Sequence, residues 1–291
     1  SIAVFIGFNA PVSFTTQKQT GAIRVVSWNV ARFIELARNN NAGSNTRKKM
    51  LALLKEQKAD ILCLQEFHTS ENPGYYNNIR AIREELGFSY HYFPYDKDGD
   101  RNYYSSVIFS RFPIVDSALL RYPRPSQPEV LVQADIQVNN DTIRVFTTHL
   151  QSQRFDKLDY ARMQKIKSRE DSLVYHSIPI VAKLKRGIVI RSIQADIIGE
   201  VRSNSPYPVL FTGDLNDVPN SYTYFKVRGE LRDAFLEKGY GLGRTFRGLS
   251  PTLRIDYIFS DSRFSVAQFK REKKNYSDHY MLVADLQLNN P

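Results

Sequence analysis

From Gly21 onward the chain repeats one pattern: short β-branched or aromatic runs, each bounded by Gly, Pro, Asn or Asp. Such runs read as strands. They fall at residues 23–28, 61–65, 106–109, 130–138, 143–148 and 209–212, and again at 254–259, 264–269 and 280–288. Between the first two, residues 46–57 place Met50, Leu51, Leu53 and Leu54 at helical spacing with Lys and Glu opposite, and residues 78–86, closed by Gly87, form a second helix. Asn139-Asn140-Asp141 supplies the turn of a hairpin. Residues 151–202 carry a longer helical pattern, which Pro179 is expected to break into two helices because proline removes a backbone donor.

With 42% hydrophobic and 24% charged residues among 291, the chain has the balance of a folded globular protein, and disorder is excluded. No internal repeat or linker interrupts the pattern after Gly21, so residues 21–291 read as one domain and residues 1–20 as an N-terminal extension. Residues 2–8 of that extension are apolar apart from a glycine. They are too short to span a bilayer, which takes about 20 residues, and read either as the stub of a trimmed signal or anchor or as a first segment that packs on the domain. Membrane association would act through residues preceding Ser1. The compartment stays open, with a bacterial, cytoplasmic or membrane-anchored protein among the options, and no protein partner is implied. Cys63 is the only cysteine, which excludes an intramolecular disulfide; it sits in the run Ile61-Leu62-Cys63-Leu64 and reads as core.

Charge narrows the partners. The formal net charge is +10 and the pI about 9.5, a surface field that attracts nucleic acid, phosphorylated metabolites or acidic lipid head groups. Residues 151–202 hold 11 Lys/Arg against 6 Asp/Glu, hence +5 of that total. This segment is either a pair of solvated helix faces or a guide for a polyanion, with Arg154, Lys157, Arg162 and Lys165 the residues to neutralise.

Polar residues stand repeatedly at the carboxyl ends of the strands: Trp28-Asn29, Gln65-Glu66, Thr148-His149-Leu150, Gly213-Asp214-Leu215-Asn216, Arg254-Ile255-Asp256-Tyr257 and Ser277-Asp278-His279. Each alone is a turn or cap. Together with Ile108-Phe109-Ser110-Arg111-Phe112-Pro113, and in this order from residue 23 to 288, they resemble the endonuclease/exonuclease/phosphatase superfamily, which includes pancreatic-type deoxyribonucleases, abasic-site endonucleases, sphingomyelinases and inositol-polyphosphate phosphatases. The resemblance implies an α+β fold, a four-layer α/β sandwich of two packed, mostly antiparallel sheets flanked by helices, with the site at one end.

The residue types suit phosphate-ester hydrolysis. An attacking hydroxide is repelled by the anionic ester, and a hard divalent ion with oxygen ligands, Mg²⁺ or Mn²⁺, relieves that repulsion. Glu66 is the first expected metal ligand, because a carboxylate leaving an apolar strand needs a counter-cation; Asn29 and Asp278 complete the metal end, directly or through water, and Asn29 also reaches substrate. The resemblance makes Asp214 the candidate base or water-orienting group, with Asn216 holding water or a phosphate oxygen. His279 is the other candidate for proton work, Asp256 fixing its tautomer, and the choice of base between Asp214 and His279 stays open. His149 is implied to contact the scissile phosphate or assist the leaving group. Arg111 supports the site or only stitches a turn. His68, His91 and His176 match no motif and read as structural.

Departures blur the substrate. Phe67-His68 follows Glu66 where abasic endonucleases often carry Thr-Lys, the Trp-Cys-Asp-Arg pattern of inositol phosphatases is missing around Asp256, and no Walker-type phosphate loop occurs. The first expectation is a nuclease or nucleotide phosphodiesterase, with Tyr75, Tyr76, Tyr103 and Tyr104 either stacking on bases or filling a core; the alternative is a lipid or sugar-phosphate phosphoesterase. A fold that merely binds phosphate is disfavoured by the complete catalytic set.

Overall fold

Two parallel strand pairs organise the molecule, seen in a computed structural model that describes residues 6–8, 17–34, 42–123, 129–153, 158–159, 173–248 and 252–289. The first pair is β2 (Ile23–Asn29) with β3 (Ile61–Ser70), joined through α1 (Ala42–Gln57). The second is β8 (Asp141–His149) with β9 (Val209–Asp214), the connection containing α3 (Leu173–Ser203). Parallel strands need such long crossovers, and these place the helices on the outer faces.

Antiparallel strands extend each pair into a six-stranded sheet. The first sheet runs β13 (Phe264–Glu272), β14 (Met281–Leu288), β2, β3, β5 (Asn102–Ser110), β4 (Tyr90–Tyr92). The second runs β10 (Arg232–Asp233), β12 (Asp256–Ser260), β9, β8, β7 (Val130–Val138), β6 (Ile114–Arg121). Every strand expected from the sequence overlaps one of these, the expected 254–259 and 280–288 starting two residues and one residue before β12 and β14. Strands β4 and β6, not expected, are partly exposed edges with weaker patterning. Three short helices are added to these: α2 (Asn78–Leu86), α4 (Tyr222–Arg228) and α5 (Ala234–Lys238).

Burial on both faces explains the continuous apolar runs of the central strands, since β2 and β9 are buried at every position. Val25, Cys63 and Ile108 meet Val132, Val145 and Leu210 between the sheets. Val26, Leu62 and Leu64 face Met50, Leu54 and Ile82 on one outer side, while Phe146, Phe211 and Phe259 face Ala195, Ile198 and Tyr224 on the other. The four layers are those the resemblance implied. Burial pushes the Cys63 thiol up to about 12, so it packs as an uncharged core group.

One expectation is corrected. Pro179 lies inside α3 and does not divide it. Only about a turn and a half precedes the proline in that helix, so the lost hydrogen bond falls near its start and the downstream residues propagate unhindered. In the N-terminal extension, β1 (Gly7–Phe8) pairs with β11 (Tyr240–Gly241), so these two residues do pack on the domain. A Cβ at Gly7 would lie 2.2 Å from the Gly239 carbonyl oxygen, which requires glycine there. Arg154, Lys157, Arg162 and Lys165, and the side chain of His176, lie outside the described residues.

Candidate active site

The carboxyl ends of both parallel pairs open at the same end of the sandwich. Asn29 closes β2, His149 closes β8 and Asp214 closes β9; His149 and Asp214 are register partners, and Asp256 on β12 faces Asp214 from the other side. The glycine before Asp214 is needed because a Cβ at Gly213, whose φ is +156°, would sit 2.4 Å from the Thr148 carbonyl oxygen.

Glu66 reaches the site through a break in regularity. Between Leu64 and Phe67 the β3–β5 register shifts so that Gln65 and Glu66 face a single residue, a β-bulge in which Glu66 takes φ +48°. Such a backbone costs of order 1 kcal/mol for a non-glycine residue and persists where packing over-determines it. Phe67 supplies that packing, with its ring edge-on to Phe33, Phe93 and Phe109. Gln65 meanwhile ties the sheets beneath the site, its Nε2 donating to Thr147 Oγ1 at 2.9 Å.

Asn29 joins two of the acids. Its Nδ2 donates to Glu66 Oε1 and to Asp214 Oδ2, both at 3.1 Å, while its Oδ1 accepts from Ala31 N–H at 3.1 Å. The amide is a bridge between the carboxylates at the expected metal end, and its oxygen accepts one backbone N–H while keeping a second lone pair. The following residues Ala31, Arg32, Phe33 and Ile34 form a left-handed turn with φ between 44° and 57°. Phe33, fully buried, and Arg32, paired with Asp98 and stacked 3.9 Å above the Tyr104 ring, hold it.

Two imidazoles converge on Asp214, each backed by its own carboxylate. His279 lies 3.0 Å through Nδ1 from both oxygens of Asp256, and its Nε2 is 3.6 Å from Asp214 Oδ2. The loop carrying it is fastened to β2: Trp28 Nε1 donates to the His279 carbonyl at 3.0 Å, and Ser277 Oγ donates to the Asn29 carbonyl at 2.8 Å. His149 mirrors it more loosely. Its Nδ1 is 3.3 Å from Glu129 Oε2, and its Nε2 is 3.7 Å from both Glu66 Oε1 and Asp214 Oδ2. The Glu129 contact is an ion pair by distance without the alignment of a hydrogen bond.

Burial works against the charged form of both rings, but the carboxylates win. For His279 these are chiefly Asp256 and Asp214, for His149 chiefly Glu129, Asp214 and Glu66, and both pKa values rise to about 10. Asp214 is pushed up by burial and by Asp256, against the pull of the two imidazoles.

Donor atoms of Asp214, Asp256 and His279 lie within 4.8 Å of one another, all buried. Asp256 spends both oxygens on the His279 ring, so the acids free to face an ion are Asp214, Glu66 and the exposed Asp278, which line one cavity of about 410 Å³ with His149 and His279. Buried carboxylates on this scale need compensation by protons or by a cation, and an oxygen-rich set with imidazole fits a hard divalent ion. Asn216 lines the same cavity; its N–H caps Asp214 Oδ1 at 2.9 Å and its side chain donates to the Leu150 carbonyl at 3.0 Å.

Arg111 is elsewhere. It follows β5, antiparallel to β3, and so emerges at the opposite end of the sheet, donating to the carbonyls of Ala59, Leu86 and Gly87. Its expected support of the site is corrected to turn stitching. His68 is buried and edge-on to Tyr75, and His91 stacks on Phe109. Tyr103 packs against Tyr95 and Tyr76 lies beneath Arg47, leaving Tyr75 the more exposed. One neighbour of the site had not been singled out, Glu129; beside it stands Tyr104, named above for stacking, whose hydroxyl is held protonated by burial and by nearby Glu66 and Glu129. The hairpin turn could have revealed Glu129, because pairing Val138 with Asp141 and counting back sets His149 opposite Val130.

Comparison with known proteins follows the geometry. A sequence model described as the Endonuclease/Exonuclease/phosphatase family matches residues 26–279. No curated protein matches. Among solved structures, an endonuclease/exonuclease/phosphatase from Beutenbergia cavernae superposes with a TM-score of 0.65 at 20% identity, covering 94% of this chain and 72% of that one. The human Nocturnin catalytic domain with bound sulfate gives 0.62 at 16% identity, covering 94% and 96%. D. rerio TDP2 complexed with single strand DNA product gives 0.59 at 16% identity, covering 91% and 98%. At these identities the likeness is one of fold.

Proposed function

The chain belongs to the endonuclease/exonuclease/phosphatase family, and on that premise we propose that it is a divalent-metal-dependent hydrolase of phosphate diesters whose reaction centre is Asp214. The observation that carries this reading is the approach of two carboxylate-backed imidazoles to one carboxylate oxygen, Nε2 of His279 at 3.6 Å and Nε2 of His149 at 3.7 Å.

Glu66, with Asp278 at the mouth of the cavity, would hold a Mg²⁺ or Mn²⁺ ion, which when bound neutralises charge on the phosphate oxygens. Asp214 orients the attacking water and accepts its proton. Its raised pKa makes it a stronger base than a surface carboxylate, whereas His279, titrating at about 10 in the ion-free protein, already carries its proton and serves as a donor to the phosphate. Asp256 keeps that proton arrangement fixed on Nδ1. His149 donates to a non-bridging or leaving oxygen, and Asn29 holds Glu66 and Asp214 apart at a constant spacing.

Two substrate classes enter the test. Nucleic acid is favoured by the net charge of +10 and by the single-strand DNA product in the D. rerio relative; a lipid or sugar-phosphate ester is the other. The experiment is a hydrolysis panel of plasmid, single-stranded RNA and DNA, sphingomyelin, inositol phosphates and bis(4-nitrophenyl) phosphate with Mg²⁺ or Mn²⁺. At least one should turn over, activity should vanish in excess chelator, and Ca²⁺ should support a weaker rate because its looser coordination positions the ester less well. Full activity in chelator, or no turnover of any member, overturns the proposal.

A further inference from the structure

The catalytic cavity has two unlike walls. One carries Glu66, His149, Asp214 and His279; the other is built of Leu184 and Ile188 on α3 with Val218, Leu253 and Ile255. Phe246 stands between them, its ring 4.9 Å from that of His279. Leu184 and Ile188 are one helical turn apart, share a face, and remain 36% and 50% exposed. Water against large aliphatic side chains is unfavourable, and a ligand that covers them recovers that free energy.

Among the described residues, the same wall offers little to a polyanion. Arg191 is the one Lys or Arg among the described lining residues, and its guanidinium is already spent, Nε on Asp217 Oδ2 at 3.0 Å and Nη1 on the Gln151 carbonyl at 3.1 Å. A nucleic-acid strand running past the reacting phosphate needs cations at successive phosphates. An apolar group attached to that phosphate needs what this wall has.

We propose that the Leu184–Ile188 wall is a subsite for an apolar alkyl or aryl substituent of the phosphate ester, so that the substrate is an amphiphilic phosphodiester seated with its phosphate between His149 and His279 and its apolar group over α3. This rests on the hydrolase reading above and names the substrate class for that site. An amphiphile drawn from a lipid surface and a soluble ester with an apolar arm present the same chemistry.

The test is a series of 4-nitrophenyl ethyl, butyl and hexyl phosphodiesters with Mn²⁺, in which the chromogenic leaving group is constant and only the alkyl arm grows. In the wild type kcat/KM should rise at least about tenfold from ethyl to hexyl, a fraction of what full burial of four methylenes would give. In the double variant Leu184→Gln, Ile188→Gln the hexyl-to-ethyl ratio should fall to within about threefold of one. Val189→Gln, on the same helix, 51% exposed and outside the lining, should keep the wild-type ratio. Both changed wall positions are partly exposed, so folding should survive, and melting temperature checks it.

A flat wild-type ratio with measurable turnover of the ethyl ester overturns the subsite and leaves the hydrolase reading intact; so does an oligonucleotide that outcompetes the hexyl ester through these residues' loss. No turnover of any ester overturns the hydrolase reading itself. Presenting the hexyl compound alone and a dodecyl homologue in phosphatidylcholine–phosphatidylglycerol vesicles separates the sources. A gain on vesicles that is lost in the double variant supports a lipid surface, and an equal gain on the free ester supports a soluble substrate.

Discussion

The two imidazoles at Asp214 are placed alike and clamped differently. His279 is gripped by both oxygens of Asp256 at 3.0 Å, on a strand whose five residues are all buried, and its loop is tied to β2 through Trp28 and Ser277. His149 ends a strand of its own and meets Glu129 at a single 3.3 Å contact, the glutamate standing just ahead of β7 and keeping 14% of its side chain in water. A two-oxygen clamp in a dry setting fixes the ring, its tautomer and its charge together. A single partly wetted contact biases charge and constrains the ring less than a two-oxygen clamp does. In the proposed reaction the difference would give the fixed proton position to His279 and the adaptable one to His149.

That contrast is broken most severely by removing the rings. With divalent metal saturating, His279→Ala should lower kcat by about 10³-fold and His149→Ala by about 10²-fold, within the range for a positioned proton donor or acceptor. Steady-state kinetics on bis(4-nitrophenyl) phosphate measures both, and a reversed order would show that the looser ring carries the larger share.

The clamps themselves come next. Asp256→Asn should cost about 30-fold in kcat, since Asn cannot hold the Nδ1 proton as a carboxylate does. Glu129→Gln should cost less than about tenfold. Equal losses would mean that the geometry of the two clamps has no functional weight.

The unequal legibility of the two pairs in the sequence has the same origin. Asp256 and His279 each lie in a motif of the resembled family, so the resemblance carried their pairing even though Asp256 opens β12 and His279 precedes β14. Glu129 lies in no motif and precedes a strand; its partner is 20 positions away, and only the hairpin register brings them together. The central strands were readable for a related reason, because strands buried on both faces are continuous apolar runs, whereas the four-layer arrangement came from the family resemblance. Edge strands such as β6, half wet, carry no such mark. Arg111 shows the limit of strand-end reasoning: the end of an antiparallel strand emerges opposite the end of a parallel one, and direction is not a local property of sequence. The bulge at Glu66 was equally silent, since nothing but tertiary packing holds a glutamate at φ +48°.

The smallest expected effect is on stability. Both rings have folded pKa values of about 10, above the roughly 6.5 of an unfolded histidine. Their contribution to stability is therefore complete below about pH 6.5 and is lost as pH rises through about 10. The chelator-treated protein should show a melting temperature that falls between pH 7 and 10, and Glu129→Gln should flatten that fall by relaxing the largest upward influence on His149. A melting temperature that rises over this interval would contradict the charge assignment.

The most direct measurement is the turnover of Asp214→Asn on a diester the wild type hydrolyses, at saturating Mg²⁺ or Mn²⁺ and with melting temperature as the check on folding. Asparagine keeps the shape and the Asn216 N–H contact while losing the ability to accept a proton, so kcat should fall by at least about 10²-fold with the fold intact. A folded Asp214→Asn enzyme within a few-fold of wild type would show that the chemistry is centred on another group.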